Sequence, residues 1–145
     1  MWLSVAALLL CVCMSAFFSA SETAFSSMNK VRLKTIEGPQ RHKAQLALEL
    51  GEDYDNLLMT ILVGNNIVNI AGTAISTVLF TNLIKGNAGA TVSTVVMTIV
   101  ILLFGEISPK SLAKENAESV AMFAARPLMI IGKQVIPHGL VLLLF

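Results

Sequence analysis

The chain has 145 residues, 55% hydrophobic and only 13% charged, and its mean hydropathy of +0.76 lies outside the usual pattern for a soluble domain of this length. A formal net charge of +1 excludes the global basic surface that would argue for nucleic acid. The chain is therefore a membrane protein or a piece of one, and its charges inform by position rather than by total.

The first apolar run occupies 2–21. A bilayer core of about 30 Å needs roughly 20 apolar residues as helix, because only a helix or a closed barrel satisfies the backbone there. SAFFSAS resembles a leader cleavage site, but no Lys or Arg precedes Lys30, so the basic segment of a leader is missing and the run reads as a span. Cys11 and Cys13 lie within it without the Cys or His partners of a metal site or disulfide framework, and read as small apolar fillers.

From 23 to 36, TAFSSMNKVRLKTI sets Phe25, Met28, Val31 or Arg32, and Thr35 or Ile36 at helical spacing. This predicts an amphipathic helix ending at Gly38 and Pro39. A second, over 40–50, carries Leu46 and Leu50 at i, i+4, and both are expected to lie along the inner membrane surface. His42 and the distant His138 have no ligand-like spacing and read as solvated or interfacial.

Two further spans follow, 57–83 and 88–106, separated by the turn-like KGNAG of 85–89. Gly72, Thr73, Ser76, Ser93 and Thr94 are the small residues that let membrane helices approach closely. After Pro109, residues 111–125 predict another amphipathic helix, closed by Pro127. The segment 128–145 is long enough to span, but Lys133, Pro137 and His138 interrupt it, favouring a helix lying in the interface over a fourth crossing. The chain stops at Phe145 inside an apolar run, so a further cytoplasmic region is expected beyond it.

Of the ten Lys and Arg residues, five lie between Glu22 and Asn56, one is Lys85 and four follow Glu106. Cytoplasmic loops carry the excess of Lys and Arg. The expectation is a multi-pass protein with three crossings, its N-terminus outside and its C-terminal part cytoplasmic.

Polar groups in a span are unfavourable in lipid, and an ionisable one costs about 2.5–3.5 kcal/mol on insertion scales. Each span nevertheless carries a polar cluster: SAFFSASET at the end of the first, GNNIVN in the second and FGEISPK at the end of the third. In the expected topology all three fall between the bilayer middle and the cytoplasmic side. Asn65 and Asn69 are an i, i+4 pair and face the same neighbour, whereas Asn66 points elsewhere and reads as a packing residue. Ser hydroxyls, Asn carbonyls and the single Glu106 carboxylate, with no thiolate or imidazole, suit hard cations such as Mg²⁺, Ca²⁺ or Na⁺ rather than zinc or copper. Gly105 and Pro109 around Glu106 would loosen the helix and free backbone carbonyls as added oxygen ligands. The competing reading is structural: Ser and Asn commonly glue membrane helices together, and Glu106 with Lys110 would mark a helix end among headgroups.

SETAFSS (21–27), GNNIVN (64–69) and GEISPK (105–110), in this order and spacing, resemble the transmembrane domain of the CorC and cyclin-M (CNNM) family of magnesium transporters. The resemblance implies an all-α membrane homodimer in the plasma membrane, with three spans per protomer and a belt of juxtamembrane helices, exporting Mg²⁺ in exchange for Na⁺. It implies a dehydrated Mg²⁺ between the spans, which transfers here to Ser19 or Ser21, Asn65, Asn69, Gly105 and Glu106. The family usually writes SGSETA where this chain has SASETA, with Ala20 in place of glycine, so the choice of serine stays open. Cytoplasmic CBS domains, expected of full-length members, are not in these 145 residues.

Two other classes compete with transport. In one, the spans only anchor and dimerise a cytoplasmic CBS sensor. An intramembrane enzyme fares poorly, since no Ser and His pairing, HExxH or paired catalytic aspartates occur within the spans.

Overall fold

A computed structural model describes residues 1–135. Among them every regular element is a helix, and three helices are long and apolar enough to cross a membrane: Trp2–Ser27, Tyr54–Leu83 and Ala88–Glu115.

Helix α1, Trp2–Ser27, contains neither Gly nor Pro and extends about 39 Å at 1.5 Å per residue. Its last turns therefore stand clear of a 30 Å hydrocarbon layer. The single juxtamembrane helix expected over 23–36 is instead divided: residues up to Ser27 continue α1, Met28 turns extended, and α2 is the short Lys30–Lys34. Asn29 causes the break by capping α2, its Oδ1 accepting from the N–H groups of Val31 at 3.0 Å and Arg32 at 3.3 Å. Asparagine competes for backbone donors in this way and so starts a new helix rather than continuing the old one. A 3₁₀ turn at Gly38–Gln40, with Gly38 at φ +86°, leads into α3, Arg41–Glu52.

Helix α4, Tyr54–Leu83, returns across the bundle, and Gly86 at φ +97° turns the chain into α5, Ala88–Val100. From Ile101 to Ile107 the helix widens to π geometry, then resumes as α6, Ser108–Glu115. The loosening expected around Gly105 and Pro109 thus takes the form of a wider helix, not an unwound one. Within it the Ser108 N–H reaches back to the Leu103 carbonyl, and Pro109 has no N–H to return to Gly105.

The helix expected over 111–125 is also divided, at Asn116, whose backbone leaves the helical region (φ −126°, ψ 44°). Helix α7, Ala117–Val135, then runs through Pro127 rather than ending there. Pro127 forfeits only the bond to the Phe123 carbonyl, and Phe123 is 73% exposed, so outside groups can satisfy that oxygen. Residues 128–135 are the end of α7, not the start of a separate helix; the remainder of the segment 128–145 falls outside the described residues.

Two kinds of packing hold these elements. Along the spans many large apolar side chains, among them Leu9, Leu10, Ile70, Val78, Val95 and Ile99, are exposed; Phe18, Val63 and Met97 are buried, but most buried positions are small or hydroxylic, such as Ser15, Ser19, Ser21, Gly72, Ser76, Gly89 and Ser93. Lipid tails are as apolar as leucine, so close backbone approach and hydrogen bonds, not apolar burial, join such helices. A Cβ on Gly89 would lie 2.8 Å from the Phe80 carbonyl oxygen and 2.9 Å from the Thr81 Cα. Nearby, Ser76 and Ser93 share a buried hydroxyl hydrogen bond of 2.7 Å.

At the other end, α2, α3, α6, α7 and the inner turns of α1 and α4 bury a conventional apolar core. It includes Phe25, Leu33, Leu57, Ile61 and Leu128, with Ala113, Ala117, Ala121, Ala124 and Ala125 letting α6 and α7 pack close. The whole first loop and the described residues after Glu106 gather at this end, so nine of the ten Lys and Arg side chains lie there and Lys85 lies at the opposite one. Glu22 and Lys110 approach to 4.0 Å across α1 and α6, and Arg32 and Glu118 to 3.8 Å across α2 and α7.

Candidate ion site

The polar clusters of the three spans meet where α1, α4 and the π-helical segment cross. The contact that joins them comes from Ser15, the first residue of the SAFFSASET cluster but not among the residues transferred to the ion. Its Oγ donates to Asn65 Oδ1 at 3.0 Å, and a Cβ on Gly105 would lie 3.0 Å from the same Oγ. Asn65 and Gly105 are thereby brought to one level around a side chain of α1 that is 1% exposed. Ser15 was legible in principle, since it sits one turn before Ser19, the same i, i+4 relation that linked Asn65 to Asn69.

The two candidate serines differ sharply. Ser21 is buried and satisfied within its own helix, its Oγ donating to the Phe17 carbonyl at 2.7 Å. Ser19 is 1% exposed, and among the described residues its Oγ is the one buried side-chain polar atom with no hydrogen-bond partner. A buried hydroxyl without a partner costs about 1–3 kcal/mol and calls for a specific explanation. A ring locks its approach to α4: the Phe18 side chain lies where a Cβ on Gly64 would stand, 2.5 Å away.

Asn69 and Glu106 are half-buried, and Asn66 is exposed. Asn69 borders an open groove with Ile70, Thr73 and Ala74, and its backbone carbonyl accepts from Thr73 Oγ1 at 2.9 Å. Because α1 and α4 run in opposite directions, Ser19 lies about one turn from the Ser15–Asn65 contact toward the cation-rich end and Asn69 about one turn away from that end, about 12 Å apart along the helix axes. Glu106 belongs to the π-helical segment; the cation of its own motif, Lys110, faces Glu22 instead. The first and third motifs are thus tied by an ion pair at the cation-rich end. No group of three or more His, Cys, Asp or Glu side chains that would hold a metal occurs among the described residues. The donors gathered at the crossing are hydroxyl and carbonyl oxygens, with one carboxylate nearby.

The sequence profile of the cyclin M transmembrane N-terminal domain matches residues 6–143. The chain belongs to this family. A UPF0053 protein of Haemophilus influenzae is 41% identical over 121 residues, which is 83% of this chain and 29% of the relative. The UPF0053 inner membrane protein YfjD of Escherichia coli is 35% identical over 120 residues, 81% of this chain and 28% of that protein. A putative DUF21 domain-containing chloroplastic protein of Arabidopsis thaliana is 36% identical over 126 residues, 87% of this chain and 19% of its own length. The chain spans less than a third of the length of these curated relatives. It is a multi-pass cyclin M membrane domain in contact with lipid, and the membership accords with a transport-related role.

Proposed function

We propose that this cyclin M domain transports Mg²⁺ across the plasma membrane, exporting it in exchange for Na⁺, as a homodimer whose full-length form adds cytoplasmic CBS domains. The observation that carries the reading is the Ser19 hydroxyl, buried without a partner beside a crossing rich in neutral oxygens. A dehydrated hard cation supplies the partner that the protein withholds. In this reading Ser19 Oγ, Asn65 Oδ1, the Gly105 carbonyl and the Glu106 carboxylate form the inner part of the ion path, and Asn69 receives the ion on the outward side. Pro109 leaves the Gly105 carbonyl without an α-type donor, and π-helical turns inside α-helices are frequent at functional sites. One carboxylate against a divalent ion leaves the site net positive, which favours release over trapping. The concentration of cationic side chains at one end supports a cytoplasmic inner end and an external N-terminus.

The test is Mg²⁺ flux in proteoliposomes under an imposed Na⁺ gradient. Flux that follows the gradient in the wild type and disappears in Glu106→Gln, with folding retained, supports the exchanger; equal flux in both sinks it.

One observation favours a second reading, in which the spans anchor and dimerise a cytoplasmic sensor. The Asn65 oxygen already accepts a bond from Ser15, as a helix-joining amide would. Under that reading Asn65→Leu shifts the monomer–dimer balance in detergent, and Mg²⁺ gives no stabilisation to lose.

A further inference from the structure

The five Lys and Arg residues of the first loop all fall within 30–43. Helix α2 starts three residues after α1 ends, so it emerges at the level where lipid headgroups begin. Between α2 and α3 lies a cleft of about 210 Å³ lined by Leu33, Lys34, Ile36, Arg41, Gln45 and Leu48. Its chemistry is divided: Leu33, 2% exposed, forms the floor with the half-buried Ile36 and Leu48, and the exposed Lys34, Arg41 and Gln45 stand at the rim. On α3, Arg41, Gln45 and Leu48 follow at i, i+4 and i+7, so a single helical face supplies charge, amide and apolar contact.

Arg32 is engaged with Glu118, whereas neither Lys34 nor Arg41 takes part in an ion pair among the described residues. Glu37, the acidic residue closest to them in the chain, is exposed at the start of the intervening turn and pairs with neither. Val31, between Lys30 and Arg32, is 69% exposed and shares a face of α2 with Lys34. A valine held out among cations is unfavourable in water and favourable at a lipid interface. We propose that this cleft binds the phosphate headgroup of an anionic membrane phospholipid. Arg41 offers a planar fork to two phosphate oxygens and Lys34 a mobile point charge, Gln45 adds amide donors, and the apolar floor meets the carbon chain beside the phosphate. Free phosphate would engage the rim and leave the floor in water; a phosphatidylcholine head would bring its own cation next to two others. The proposal is independent of the ion reading, since it needs only a membrane surface at the level of α2 and α3.

The test follows the thermal stability of the purified chain in detergent as phosphatidylglycerol, phosphatidylcholine or inorganic phosphate is added. In detergent, single lipid molecules report on the cleft rather than on a charged surface. The variants are Lys34→Gln with Arg41→Gln, and Lys30→Gln with Lys43→Gln, which removes the same charge outside the cleft. All four side chains are exposed and glutamine keeps much of their stems, so the stability without lipid is expected to stay the same. Phosphatidylglycerol should stabilise the wild type at a concentration at least about tenfold lower than phosphatidylcholine does. At about fivefold per cation, the cleft variant should lose about twenty-fivefold in apparent affinity for phosphatidylglycerol, and the outer variant less than about threefold. Equal losses in the two variants would overturn the cleft in favour of diffuse charge. Inorganic phosphate as effective as phosphatidylglycerol would overturn the lipid and make this a site for free anions. No preference for phosphatidylglycerol over phosphatidylcholine would also overturn the proposal, leaving the two cations to an acidic segment of a protein partner.

Discussion

The spans and the juxtamembrane end of this molecule solve the same packing problem with opposite residues. Where α1, α4 and α5 cross the bilayer, most leucines, isoleucines and valines face outward, and the buried positions are mainly serines and glycines, with Phe18, Val63 and Met97 beside them. Where α2, α3, α6 and α7 gather, Leu33, Ile61 and Leu128 are buried among alanines while lysines and arginines are exposed. The difference follows from the solvent. Apolar burial is favourable against water at roughly 25 cal/mol per Å², but against lipid it is nearly neutral, leaving shape and hydrogen bonds to do the joining. A buried polar atom in the spans is therefore ordinary when paired, as Ser76 and Ser93 are, and informative when it is not, as with Ser19.

The widest separation between the two regions is expected from one substitution made twice. Leu33→Ala, at a site 2% exposed, should cost about 3–4 kcal/mol through lost burial and the cavity left behind. Leu10→Ala, at a span position 64% exposed, should change folding by no more than about 0.5 kcal/mol. Unfolding by SDS titration in mixed micelles measures both, and similar costs would erase the distinction.

Glycine gives the next contrast. Gly89→Ala drives a Cβ into the backbone of Phe80 and Thr81, which cannot yield without moving α4, and should cost about 2–3 kcal/mol. Gly51→Ala meets the Met28 Cε at 2.6 Å, the far end of a flexible side chain, and the Lys30 Cε at 3.9 Å, an ordinary contact. Relief by rotation and the better helix propensity of alanine should bring its net effect within about 0.5 kcal/mol in the same titration. Between these extremes lies Ser76→Ala, expected to cost about 1 kcal/mol, the typical worth of an interhelical hydrogen bond in a membrane. Changing Ser76 and Ser93 to Ala together should cost little more than either alone, since the second change removes a hydroxyl already without its partner.

The same contrast explains what could be read in advance. Long apolar runs identify spans without ambiguity, and the polar clusters within them stood out because lipid penalises every such residue. What periodicity could not say was which face of a span points into the bundle, since both faces are apolar; within the SAFFSASET cluster nothing marked Ser15 as the residue that reaches Asn65. At the juxtamembrane end the apolar pattern was clear but the helix breaks were not. Asn29 and Asn116 divide helices that the pattern carries straight through: the Asn29 side chain caps a new helix, and the Asn116 backbone leaves the helical region. Pro127 misled in the other direction, tolerated inside α7 where the carbonyl it abandons lies on an exposed residue. Gly105 and Pro109 announced a loosening of the third span, but not that it would take a π-helical form over 101–107 with Gly105 packed against Ser15.

The contrast between Ser19 and Ser21 offers the most direct test that a cation belongs at the helix crossing. Both are buried two residues apart on α1, but one hydroxyl is closed onto Phe17 and the other is open. Mg²⁺-dependent thermal stabilisation of the purified chain should survive Ser21→Ala and fall at least about tenfold in apparent affinity in Ser19→Ala, with the stability in the absence of Mg²⁺ unchanged or raised. Stabilisation that survives Ser19→Ala at wild-type affinity, or that never occurs, would contradict an ion site at this crossing.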